Sequence, residues 1–344
     1  MAGALGSRIT TAMQDYFVPT AVDTILGSNV LAKNVLTKAK RWRGNQMKRP
    51  IQYQKGVAGS SFAGADLFST TASTTRINLT FDPAFYEINV TIPLTEIWTN
   101  QANDQEKVLD LVALEIQTKA NQAADEIGTM MYSDGTGNSN KDFLGFEALV
   151  DDATNVVTYG GQSRNTYTTL KSTVTASGGT LTLAKMATLS SDVNAGSIQW
   201  TDSYTTETVF NLYEQLLLPQ ERIVKTMEDM KGGTTLGTGA TTLVYKGKPI
   251  YADEKCTSGV LYFVNMNFTD FYAMPIKLGA QPVRYKGQIE GNDYGSGVMG
   301  LGFHWSDFIF SNNSAVITAH IYLGGEFIGW NPKRSGKLTG VTSA

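Results

Sequence analysis

Gly295-Ser-Gly297-Val-Met-Gly300 has the glycine spacing of a dinucleotide-binding turn, where small residues let a pyrophosphate reach the N–H groups that open a helix. That chemistry needs a strand before the glycines and a helix after them. Here Leu301-Gly-Phe-His-Trp305 continues as strand or loop, so no nucleotide cofactor is expected. Gly232-Gly-Thr-Thr-Leu-Gly-Thr-Gly239 has no Gly-Lys-Ser/Thr ending to hold a phosphate and reads as a hairpin tip. His304 lies among Phe303, Trp305 and Phe308, and His320 lies within a strand. Neither has a readable nucleophile with an acidic partner, so both are expected to be packed or hydrogen-bonded. Cys256 is the one cysteine; it excludes an intramolecular disulfide and reads as a small buried or loop residue. Asp151-Asp152 lacks further spaced ligands and reads as a solvated turn, not a cation site. No catalytic, cofactor-binding or metal residue is expected, and no cofactor.

The elements that carry these residues belong to a large chain. The 344 residues are 42% hydrophobic, enough for two or three units around real cores. Charged residues make up 17% and glycines number 34, a balance that favours strands and turns over helical bundles. With 28 basic and 31 acidic residues the net charge is -3, so any contact with nucleic acid must be local. Met1 to Thr11 has no charged start followed by an apolar run, and no 18-residue stretch lacks polar interruption. A cytoplasmic product without a membrane span is expected.

Along the chain, residues 1–48 read as an arm with two short helical segments, one opened by Pro19 and one around Val30 to Leu36. Lys33 to Arg49 holds seven basic residues, Lys40, Arg41 and Arg43 among them, and no acidic one. It is a solvated basic face, or a contact for a neighbour's acidic surface or for packaged nucleic acid. Apolar alternation at Ile51 and Tyr53, then at Ile77, Leu79 and Phe81 and at Ile88, Val90 and Ile92, predicts a hairpin over 49–94. Its connection, Gly56 to Thr75, is nearly free of charge and far longer than a median loop of about five residues. A two-stranded ribbon is marginal in water alone, so a second copy is the economical cover.

Asn103 with Glu106 makes a capping-box start for a helix over 104–132. Its apolar stripe runs through Leu109, Val112, Ile116, Ala120, Ala123, Ile127 and Met130, a length of about 43 Å. The opposite face carries Glu115, Lys119, Gln122 and Glu126. Ser133-Asp-Gly-Thr-Gly-Asn138 ends the helix. Strand and helix signals then alternate from 142 to 275, with a Thr-rich stretch at 156–182, a helix over Thr206 to Leu218 and a hairpin turning at Gly247-Lys248-Pro249. Further strands are expected at Phe303 to Phe310 and Val316 to Leu323.

Four stretches in this order resemble the major capsid protein of tailed bacteriophages, whose fold is shared with encapsulins and the herpesvirus capsid floor. They are Ile92-Pro-Leu-Thr-Glu-Ile97 before the long helix, Tyr132-Ser-Asp-Gly-Thr-Gly-Asn138 with Phe143-Leu-Gly-Phe146, the pair Leu243 to Ile250 and Gly259 to Val264, and the hairpin at 50 to 94. The resemblance implies an α+β capsid fold with an N-terminal arm at 1–48 and an extended loop at 49–94. It implies a peripheral domain at 95–141 and 276–344 with a spine helix at 104–132 and C-terminal strands, and a mixed-sheet axial domain at 142–275 with an insertion at 156–182. It further implies pentamers and hexamers in an icosahedral shell enclosing double-stranded DNA, assembled in the host cytoplasm. A separate scaffolding protein, a portal and a cement or decoration protein are the partners implied beside the chain itself. Some family members weld subunits through lysine and asparagine, and Lys55 lies near the loop where such a lysine sits; no asparagine is assigned.

The expected subunit contacts are Tyr53, Gly56, Phe62, Leu67 and Phe68 on the loop, Lys40, Arg41 and Arg43 on the arm, and Glu115 and Glu126 as receivers on the helix. Other readings are an encapsulin-like compartment and a β-rich adhesin or carbohydrate-binding module; an enzyme ranks last for want of a complete site.

Overall fold

The computed structural model describes residues 29–68, 70–100, 115, 118–119, 121–123, 125–176, 178–217, 243–274, 303–305, 309–311 and 314–342. The helix expected after Pro19, the Asn103 cap and the glycine runs at 232–239 and 295–300 lie outside these residues, as does most of the expected spine helix.

A 14-residue strand, Val316–Gly329, organises the first sheet and spans roughly 46 Å at about 3.3 Å per residue. Ile317, Ala319, Ile321 and Leu323 are buried on one face, alternating with Thr318, His320 and Tyr322. Along one edge it pairs antiparallel with Ala84–Pro93, whose Tyr86, Ile88, Val90 and Ile92 repeat the same period. Along the other edge it pairs with Thr269–Ala273, Phe303–Trp305 and Ile309–Phe310. The helical residues 121–123 and 125–130 place Ala123 and Ile127 in the same core, and Tyr86 Oη donates to Glu126 Oε2 at 2.8 Å.

The described part of the expected arm is attached to this body. Helix Val30–Leu36 starts at Asn29, whose side chain accepts the Ala32 N–H, and it buries Leu31, Ala32, Val35 and Leu36. Strand Lys40–Arg41 then lies parallel to Tyr272 and Ala273, and Trp42 is buried behind it.

The second sheet has the order Leu243–Tyr245, Lys248–Ala252, Asp202–Thr205, Leu261–Val264, Gly336–Leu338, Thr173–Thr175. Helices Leu183–Val193 and Glu207–Leu217 pack against it through Met186, Leu189 and Val193 and through Val209, Phe210, Tyr213 and Leu217. Trp200 stacks on Phe263 at 4.3 Å within the same core. Phe146 joins the two sheets. Its buried ring lies 5.6 Å from that of Phe327 in the first sheet, and 5.5 and 5.4 Å from those of Tyr204 and Tyr262 in the second.

Several boundaries differ from the sequence expectation. Strand Ala84–Pro93 belongs to the first sheet, so the two-stranded ribbon ends at Phe81 and not at 94. Thr269–Ala273 also joins the first sheet, whereas Gly336–Leu338 crosses into the second. The stretch 156–182 is woven in: Thr173–Thr175 is an edge strand of the second sheet, and Gly179–Thr180 pairs with Val341–Thr342. Threonine suits such pleated edge positions, which explains a strand-like signal without a separate lobe. The hairpin over 243–252 turns at Lys246 and Gly247, both at positive φ, one residue earlier than expected.

Candidate assembly surfaces

The ribbon is built from Met47–Gln52 and Arg76–Phe81, paired antiparallel from Met47↔Phe81 to Gln52↔Arg76. Tyr53 closes its outer end: its N–H donates to Thr75 O at 3.0 Å and its hydroxyl to Thr74 O at 2.8 Å. Gly56 lies beyond, exposed. At the tip, Phe62 and Phe68 meet edge to face at 5.0 Å, yet remain 65% and 69% exposed, and Leu67 is 99% exposed. Asp66 Oδ2 accepts the Ala63 N–H and holds this turn. Three large apolar side chains therefore stand exposed together beyond the end of a two-stranded ribbon.

The basic stretch divides. Lys40 Nζ lies 2.6 Å from Asp270 Oδ2, an ion pair within the chain. Arg41 is half-buried on the added strand, and Arg43 is exposed just past it. On the helix, Glu126 accepts from Tyr86 and from Gln122 Nε2 at 2.8 Å, and the neighbouring Asp125 pairs with Lys255. Glu115 is helical and half-buried. The structure thus gathers Tyr53, Gly56, Phe62, Leu67 and Phe68 on one projection, while Lys40 and Glu126 are engaged within their own chain.

Sequence reasoning missed other exposed apolar residues: Trp98 on helix Leu94–Asn100, Ile309 and Phe310 on an edge strand, and Phe85 at the start of Ala84–Pro93. Nothing in an isolated strand pattern tells which side stays uncovered. Glu326 was missed as well, although a carboxylate inside an apolar strand is a readable signal. It is buried, and its Oε1 accepts the N–H groups of Leu144 and Phe327 at 2.7 and 3.0 Å. Burial pushes its pKa up to about 8. It lines an open recess of about 550 Å³ beside Phe85, Asp134 and Leu144. The wall of that recess includes Asn140, the last of three consecutive residues, Asn138 to Asn140, held at positive φ.

The remaining chemistry-bearing residues serve the scaffold. Cys256 is buried, and burial pushes its thiol well up. His320 Nδ1 lies 2.5 Å from Glu87 Oε1 and its ring stacks on Tyr322. Asp151 corrects the expectation of a solvated turn: it is buried 3.9 Å from Arg164 Nη1, and its Oδ2 accepts the N–H groups of Ala153, Asn155 and Val156. A buried partner thirteen residues away makes the carboxylate tolerable there. Among the described residues no cluster of His, Cys, Asp and Glu is arranged to hold a metal ion, and no helix is long and apolar enough to cross a membrane.

No protein-family model and no curated protein matches the chain. Solved structures do. A chain of the cyanophage A-1(L) capsid asymmetric unit is similar with a TM-score of 0.68 at 15% identity, over 92% of this chain and 93% of that one. The capsid of a native GTA particle is similar at 0.54 and 11% identity, covering 89% of each chain. The holo-SrpI encapsulin complex of Synechococcus elongatus PCC 7942 is similar at 0.51 and 10% identity, over 90% and 86%. The chain therefore has the α+β fold shared by phage capsid proteins and encapsulins.

Proposed function

We propose that this chain is the major capsid protein of a tailed bacteriophage, assembling through pentamers and hexamers into an icosahedral shell around double-stranded DNA. The observation that carries the proposal is the ribbon whose apolar tip, Phe62, Leu67 and Phe68, stands exposed on a chain with the capsid fold. An apolar projection that meets a different surface of the next copy makes a head-to-tail contact, and such contacts close into rings when the rotation permits. Exposed Trp98, Phe85, Ile309 and Phe310 offer apolar surface for the receiving side. Many modest contacts then add through multivalency, so a shell holds although each contact is weak.

The chain is a structural protein of the virion in this reading, with a separate scaffolding protein, a portal and a cement protein as its partners. Arg43 and Lys48, both exposed, are groups available to an acidic neighbour or to DNA phosphates. Deleting Gly59 to Thr74 tests the proposal: the subunit should stay soluble and folded but form no shells, and normal shells from that variant would refute the role of the loop. Electron microscopy of purified particles separates a DNA-filled capsid from an encapsulin-like compartment holding cargo protein.

A further inference from the structure

Residues 156–170 touch the ribbon at both ends of its paired length. At the base, Thr80 N–H donates to Gly160 O at 2.9 Å, and midway along, Gln162 Nε2 donates to Asn78 O at 3.1 Å. Phe81 rests edge-on against Tyr159, with centroids 5.2 Å apart. At the outer end, Tyr167 meets Tyr53 edge-on at 5.0 Å. Gly160, at φ +55°, lies so close that a Cβ there would fall 2.9 Å from Phe81 Cζ and 3.0 Å from Leu79 Cβ. A lever held at two points roughly 20 Å apart, the length of six paired residues, cannot pivot at its root.

The segment that holds it is itself fixed. The buried Arg164 guanidinium donates to four carbonyls: Nη1 to Val156 at 2.8 Å, Nε to Leu170 at 3.0 Å, and Nη2 to Ala148 and Leu149 at 2.6 and 3.0 Å. Its charge is met by Asp151 on one side and by the Tyr159 ring, 4.9 Å away, on the other. The Tyr159 hydroxyl donates to Gly329 O and accepts from Gly329 N–H, both at 3.0 Å, which ties the segment to the long strand of the first sheet. The path from sheet to ribbon, Gly329 to Tyr159 to Phe81, is short and packed throughout.

We infer that residues 156–170, keyed by Arg164, brace the extended ribbon and fix the angle at which it leaves the body. Arg164 is a positioning residue, acting on the ribbon through Tyr159 and Gly160. The consequence for assembly rests on the proposed capsid function: a fixed ribbon angle sets the tilt between neighbouring copies, and so the diameter of the shell. A freely pivoting ribbon would permit a range of tilts and of diameters.

The test uses full-length subunits kept dilute and unassembled, spin-labelled through Ala65→Cys at the tip and Ser197→Cys on the body, with the native Cys256 buried. Pulsed electron paramagnetic resonance on this background should give one narrow tip-to-body distance. Gly160→Val, which drives a side chain into Phe81 and Leu79, should shift that distance. Gln162→Ala with Tyr167→Ala, which removes the Asn78 and Tyr53 contacts and leaves Arg164, Tyr159 and Gly160 in place, should broaden it about twofold. Arg164→Met should broaden it too; if that variant does not fold, the other two decide the matter. An unchanged distance in both would overturn the brace. A changed distance with shells of unaltered diameter keeps the brace and overturns its link to shell geometry. Loss of all assembly in the deletion of Gly59 to Thr74 is a separate result, bearing only on the capsid reading.

Discussion

Tyr86 Oη donates its proton to Glu126 Oε2 at 2.8 Å, so the carboxylate expected to receive a neighbour's arm is already engaged by the strand beneath it. Burial, together with the same contact, pushes the Tyr86 phenol far above its ordinary range. Tyr86→Phe should therefore lower subunit stability by about 1 kcal/mol, the net worth of one partly buried hydrogen bond, in urea denaturation. Its assembly should be unchanged; a loss of assembly would return Glu126 to the contact surface.

The tip should behave in the opposite way. Phe62→Ser combined with Leu67→Ser removes side chains that bury little within the chain, so folding stability should stay within about 0.5 kcal/mol of the parent. The concentration needed for assembly, read by light scattering, should rise at least about tenfold, because apolar anchors dominate contact energies.

Phe146 tests the joint between the sheets. Phe146→Ala empties a site bounded by the rings of Tyr132, Tyr204, Tyr262 and Phe327. A cost of about 3–5 kcal/mol is expected in equilibrium unfolding. A cost below about 1 kcal/mol would mean that the two sheets are held elsewhere.

Glu326 gives the fold a pH dependence. Its folded pKa of about 8 lies above the ordinary 4.5, so the folded chain keeps a proton that the unfolded chain releases. Stability should fall as pH rises from about 4.5 to about 8 and change no further through this group above that, with a slope of at most about 1.4 kcal/mol per pH unit. Glu326→Gln keeps an acceptor for Leu144 and Phe327 and should flatten that slope, measured as urea midpoints across pH 5 to 9. Parallel curves for parent and variant would contradict the assignment.

Much of this was readable from period two alone. Ile88, Val90 and Ile92, and the expected strand over Val316 to Leu323, alternate as the structure has them. The helix around Val30 and the stop after Tyr132 also follow from local chemistry, through the Asn29 cap and the positive-φ residues Gly135 and Asn138. What the sequence withheld is non-local. Ala84–Pro93 finds its partner more than two hundred residues away, and nothing in its own pattern separates a ribbon strand from a sheet strand. Lys40 looked free because Asp270 is 230 residues distant, and Asp151 looked solvated because its burial depends on Arg164. The loop tip was legible for a different reason: a long, uncharged connection with Phe62, Leu67 and Phe68 had no local means of hiding them.

In the proposed shell, copies of this chain cover one another's exposed ribbon tips. Negative-stain electron microscopy of the protein expressed alone tests this most directly. Closed, curved shells whose walls are one subunit thick are expected. Single compact subunits at every concentration tried, with the tip folded back onto their own surface, would contradict it.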